Sequence, residues 1–170
     1  MDSPATAPRA DDRQPVLFDT GSLIVFSLTD RRFGVEVSRV ERVIRAVEIT
    51  PVPNAPAVVL GVIHDQDEVV PVMDVRRRFA LATRPVSPDD QLLIARSRGR
   101  RVALLVDSVE GIIAPPLIDS SALTDDLTRS DVVSGVVRLS DGLLLIHDVD
   151  AFLSRDEEER LDQAMRDGDV

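Results

Sequence analysis

The sequence predicts a mainly β fold: two small, curled, five-stranded sheets made by duplication of one unit, with short helices and a C-terminal helix. Three observations carry this prediction. Valine supplies 25 and isoleucine nine of the 170 residues, so one residue in five is a β-branched aliphatic, the type that favours strands. Short apolar runs are separated by polar turns, which pairs them as four hairpins. The four pairs then divide into two similar halves.

Leu23-Ile24-Val25-Phe26-Ser27-Leu28 reads as the first strand, Thr29-Asp30-Arg31-Arg32 as its turn, and Phe33–Val37 as an alternating, half-buried partner. Val58–Ile63 and Val69–Met73 flank the polar loop His64-Asp65-Gln66-Asp67-Glu68. Leu92–Ala95 with Val102–Val106 forms a third pair. Val132–Leu139 with Leu143–Ile146 forms a fourth, around an Asp141-Gly142 step that favours tight hairpins. Fifth strands are expected at Val47–Val52 and Ile112–Pro115, and short helices after Ser38 and Asp74. Leu81–Asp90, with two prolines, links the halves. Ser154 and Glu157 have capping-box spacing, and Leu161, Ala164 and Met165 give the following helix an apolar stripe. Residues 1–21, rich in Pro, Asp and Ala, read as a disordered leader. The folded domain is expected over 22–153, with a first barrel at about 22–80 and a second at about 91–150, exchange of segments between them left open. Residues 154–170 form the C-terminal helix and tail.

The duplication is explicit. Residues 22–44 laid over 91–113, an offset of 69, agree at seven of 23 positions: Leu23/Leu92, Arg31/Arg100, Arg32/Arg101, Val37/Val106, Val40/Val109, Glu41/Glu110 and Ile44/Ile113. Residues 58–79 laid over 132–153, an offset of 74, agree at seven of 22, including Gly61/Gly135, Asp67/Asp141 and Asp74/Asp148. A five-stranded sheet shelters both faces only by curling closed or packing on a neighbour. Two such sheets side by side leave a groove between them.

Composition excludes much chemistry. There is no cysteine, hence no disulfide, thiolate catalysis or Cys-bound metal. All 20 basic residues are arginine, which removes Schiff-base and P-loop lysines. A net charge of −10 argues against nucleic acid. No run approaches the ~20 apolar residues of a membrane span, and the N-terminus lacks the apolar stretch of a secretory signal, so the expected location is the cytoplasm. No two glycines are spaced as G-x-G. The two histidines, His64 and His147, lack the companions of a catalytic base; His147 aligns with Met73, which points to packing. Arg76-Arg77-Arg78 and Arg96, Arg98, Arg100, Arg101 read as solvated faces or as partners for an acidic protein surface. What remains is a binding surface without an enzyme or a cofactor. Glycines inside strands at 61 and 135, beside Val40, Val43, Val62 and Val109, suggest an aliphatic dock for an amphipathic helix.

The runs FGVEVSRVERVIR, ITPVPNAPAVVLGVI, VVPVMDVRRRF, VALLVDSVEGI and LLLIHDVDAFLSRDEEERLDQA together resemble the CheW-like chemotaxis coupling proteins, from about Leu23 to Ala164. The resemblance implies two five-stranded SH3-like β-barrels related by a pseudo-two-fold axis, and no catalysis. It implies a stand-alone adaptor joining the cytoplasmic tip of methyl-accepting chemoreceptors to the regulatory domain of a CheA-type histidine kinase. By position it implies partner-binding residues Val40, Val43, Gly61 and Val62 on the groove side. Two departures stand out. Members usually read N-L-R-G where this chain has His64-Asp65-Gln66-Asp67, so a guanidinium is replaced by Gln66. Members often carry an acid where this chain has Arg42. The two changes have opposite sign, and Arg42 is expected to face Asp65 or Asp67. The alternative function is a small-ligand or divalent-metal sensor using the inter-barrel cleft or the acidic loop 64–68.

Overall fold

The computed structural model describes residues 21–114, 133–140 and 142–168. Ten strands are present: β1 (Leu23–Leu28), β2 (Arg31–Glu36), β3 (Val40–Arg45), β4 (Val59–Asp65), β5 (Glu68–Asp74), β6 (Gln91–Ser97), β7 (Arg100–Val106), β8 (Ser108–Ile113), β9 (Val133–Leu139) and β10 (Gly142–His147). Helix α1 (Val75–Arg78) follows β5, and α2 (Arg155–Asp167) closes the described chain. The leader expected over 1–21 lies outside the described residues except for Gly21, as do Val132 and Asp141 of the fourth hairpin.

The strands form two five-stranded barrels of the same order. One is β8-β1-β2-β10-β9, the other β3-β6-β7-β5-β4. Under the sequence offsets these orders are equivalent strand for strand. The barrels therefore do not divide at the linker. Residues 22–80 and 91–150 do not each make one barrel: the second barrel is the continuous run β3–β7, and the first joins β1–β2 to β8–β10. Two short crossovers force this. A 3-10 turn at Val37–Arg39 carries the chain from β2 to β3, and Asp107 alone separates β7 from β8. Each exchange is sealed by a parallel pairing, β2 with β10 and β5 with β7, where the sequence suggested antiparallel pairs only.

The register repeats to the residue. Ile44↔Leu92 matches Ile113↔Leu23, and Val43↔Leu93 matches Ile112↔Ile24. The irregularity between Val40 and Arg42 recurs opposite Val25/Phe26, between Val109 and Gly111. The fifth strands thus fall at β3 and β8, earlier than the expected Val47–Val52 and Ile112–Pro115. Pro51 and Pro53 explain the first shift: they remove backbone donors, and only Thr50 bridges to Val62.

Period-two alternation sorts the apolar side chains into three layers. Leu92, Ile94, Ile63, Val70 and Val72 fill the second barrel. Their equivalents Leu23, Val25, Val137, Leu144 and Ile146 fill the first. The opposite strand faces supply Ile24, Phe26, Phe33 and Val35 from one barrel and Leu93, Ala95, Val102 and Leu104 from the other, in one shared cluster. Five rings run through this core in sequence, Phe26, Phe33, Phe79, His147 and Phe152, with neighbouring centroids 4.7–5.6 Å apart. Helix α2 is held by the expected capping box, with Ser154 and Glu157 exchanging hydrogen bonds. Leu161 joins the shared core, and Ala164 packs with Val52 and Val62.

Candidate functional site

The candidate partner-binding residues lie on three consecutive pieces of the second barrel: β3, β4 and the β4–β5 turn. Strand β3 is a sheet edge whose side chains alternate between half-buried and exposed, so Val40, Arg42 and Ile44 face inward while Glu41, Val43 and Arg45 face out. Gln66 and Asp67 occupy left-handed conformations, φ 49° and 63°, which is how a two-residue turn joins β4 to β5. The turn puts His64, Gln66 and Asp67 in solvent and turns Asp65 inward.

The predicted residues fall into two groups. Val40, Arg42, Val43, His64, Gln66 and Asp67 retain accessible surface. Val62 does not: it is 0% exposed and packs with Val52 and Ala164 beneath α2. Gly61 is also buried, where a Cβ would collide with the Thr50 carbonyl. Both shape the surface from below.

Asp65 is the pivot of the exposed group. Its side chain pairs with Arg42, as the opposite sign changes predict, and with Arg101 at 2.5 Å. Arg101 also reaches the Asp65 carbonyl, Glu68 at 3.0 Å and Glu41 at 3.0 Å. Arg96 holds the other oxygen of Glu41 at 2.7 Å. The result is an alternating chain, Arg96–Glu41–Arg101–Asp65–Arg42, across β3, β6, β7 and β4. Loss of solvent pushes the Glu41 carboxyl up, but hydrogen bonds from Arg101 and Arg96 outweigh it and hold the group below its ordinary value. The hydrogen bond to Glu68, with help from Glu41, raises the Arg101 guanidinium above its usual value.

Only one rung of this chain is duplicated. Arg32–Glu110, at 2.8 Å, is the first-barrel equivalent of Arg101–Glu41. Leu139, Gly111 and Ser27 stand where the second barrel has Asp65, Arg42 and Arg96. The asymmetry marks this face of the second barrel off from its copy.

Sequence reasoning missed Arg101 as the hub and read the arginine clusters as solvated faces or as partners for an acidic protein surface. Arg76 is instead buried and Arg101 half-buried, and both are ion-paired. The signal was present in the repeat: Arg32/Arg101 and Glu41/Glu110 are identical in both halves, on strands that lie one apart in each sheet. The divalent-cation reading of loop 64–68 is not supported, because Asp65 is committed to two guanidinium groups. No cluster of three metal-ligating side chains occurs among the described residues.

The CheW-like domain family matches residues 22–157. This chain belongs to that family. The chemotaxis protein CheW of Rhizobium meliloti is 29% identical over 140 residues, covering 81% of this chain and 90% of its own. That of Treponema pallidum is 23% identical over 145 residues, covering 82% and 85%. The crystal structure of the scaffolding protein TtCheW from Thermoanaerobacter tengcongensis superposes with a TM-score of 0.73 at 24% identity, over 81% of this chain and 95% of that one. This likeness agrees with the paired-barrel fold. No helix among the described residues is long and apolar enough to cross a membrane.

Proposed function

We propose that this CheW-like chain is a non-catalytic signalling adaptor of the cytoplasm, coupling the tip of methyl-accepting chemoreceptors to the regulatory domain of a CheA-type histidine kinase. The observation that carries this reading is the match to the CheW-like family over residues 22–157, which spans both barrels. Val40, Val43 and the exposed residues His64, Gln66 and Asp67 form the receptor-facing surface, with Gly61 and Val62 setting its contour. The Arg42–Asp65 pair replaces the charge arrangement usual in the family and keeps the turn in place. The adaptor acts by differential binding: the receptor's state alters the geometry of a rigid coupler, and the coupler alters the kinase. Pairwise co-purification of the full chain with kinase regulatory domains and receptor tip fragments tests the reading. Retention of both partners is expected; retention of neither overturns it. Arg42→Glu sets two acids against each other and is expected to weaken capture of the receptor fragment. Unchanged capture removes Arg42 from the site.

A further inference from the structure

Each crossover between the barrels ends in a three-way clasp centred on one carboxylate. At the β7–β8 crossover, Asp107 accepts the backbone N–H of Thr29 at 2.7 Å, from the β1–β2 turn of the first barrel. The same carboxylate holds Arg76 at 2.5 Å and Arg84 at 2.8 Å, both from the second barrel. On the opposite side, Asp150 follows β10 of the first barrel. It accepts the backbone N–H of Arg98 at 3.0 Å, from the β6–β7 turn of the second barrel, and a two-pronged contact from Arg39 at 2.6 and 3.3 Å. Arg39 belongs to the β2–β3 crossover.

The two clasps are pseudo-symmetric in place and inverted in charge. Thr29 and Arg98 are equivalent under the 69-residue offset, and both are left-handed, with φ 57° and 48°. Arg76 and Asp150 are equivalent under the 74-residue offset. Asp107 and Arg39 occupy matching crossovers. The acid therefore sits on the crossover in one clasp and after β10 in the other. Two copies of the first half would set Arg39 against Arg76, and two copies of the second would set Asp107 against Asp150. Only the pairing of unlike halves satisfies both clasps. At Asp107, loss of solvent raises the carboxyl, and the hydrogen bonds from Arg76 and the Thr29 backbone, together with the charges of Arg76 and Arg84, more than offset this and leave it below its ordinary value.

We propose that Asp107 and Asp150 are positioning residues for coupling: they fix the angle between the barrels, which converts receptor binding at one surface into altered kinase output at another. They act through that angle, and neither lies in the partner surface described above. The coupling half of the proposal rests on the adaptor reading. The barrel-angle half does not.

The chain has no cysteine, so Glu48→Cys on the second barrel and Leu143→Cys on the first, both exposed, accept spin labels without background. Pulsed electron–electron resonance on the labelled full chain is expected to give one narrow distance distribution, broadened by Asp107→Asn with Asp150→Asn. In the unlabelled double variant, affinity for receptor fragment and kinase domain is expected to stay within about twofold, while receptor-stimulated kinase autophosphorylation falls about fivefold or more. Arg39→Gln opens one clasp at an exposed guanidinium and carries the same test should the double variant not fold. An unchanged distance distribution overturns the proposal. So does a broadened one with full kinase output, or affinity and output falling in parallel. A parent chain that binds neither partner overturns the adaptor reading instead, and the distance measurement still decides whether the clasps set the angle.

Discussion

His147 gives the sharpest test of how the shared core is built. The ring is 2% exposed, lies edge-on to Phe79 and Phe152 with centroids 5.5 and 5.2 Å away, and neither nitrogen has a hydrogen-bond partner among the described residues. Burial, and secondarily the positive charge of Arg78, push its pKa from 6.5 to about 3. The native imidazole thus stays neutral while the unfolded chain takes up a proton once pH falls below about 6.5. Unfolding then binds a proton, so stability falls with falling pH through this window and levels off below about 3. At 1.36 kcal/mol per pH unit, the loss from this one group is about 2 kcal/mol between pH 7.5 and pH 5. His147→Met places there the residue found at the repeat-equivalent position 73, keeps an apolar shape and removes the titration. Urea unfolding of parent and variant at pH 7.5, 6 and 5 measures both slopes. The parent is expected to lose about 2 kcal/mol and the variant little, because carboxylates barely titrate above pH 5. The variant is also expected to gain about 1 kcal/mol or more at pH 7.5, where an unpaired buried polar group has gone. Equal slopes in the two proteins would refute the reasoning.

Three further outcomes are expected. Gly61→Ala drives a Cβ into the Thr50 carbonyl and breaks the Thr50–Val62 bridge; chemical denaturation should show a loss of about 2 kcal/mol or more. Arg101→Lys keeps the charge but loses the forked contacts to Glu41, Asp65 and Glu68; a loss of about 1–3 kcal/mol is expected, with faster amide exchange in the 64–68 turn, and an unchanged turn removes Arg101 as hub. Ser154→Ala deletes the side-chain half of the capping box; thermal melts should show a loss of about 0.5–2 kcal/mol, with α2 the element that frays.

The hairpins were legible because β-branched runs and turn residues report local geometry directly, and Leu23–Leu28 matches its strand end to end. Strand β3 was not. Its Val-Glu-Arg-Val-Ile-Arg run does not alternate apolar and polar residues, and its Glu and Arg side chains look like solvent-facing residues until their partners on β6 and β7 are known. Exchange of segments was left open from the sequence, but which strands change barrel was hidden, since that depends on crossovers of three residues and one, lengths that composition does not register. At the site, Arg42 facing Asp65 was readable from two opposite sign changes. The burial of Val62 was not, because the helix that covers it arrives about a hundred residues later.

That order of threading has a cost during synthesis. The second barrel is one unbroken segment and can close as soon as β7 has emerged, whereas the hairpin of β1 and β2 leaves the ribosome first and waits for β8 to β10 before its sheet exists. Until then the LIVFSL strand offers an unpaired, nearly all-apolar edge. The pairings of β1 with β8 and of β2 with β10 join residues far apart in the chain, and on loop-closure grounds they are expected to form last.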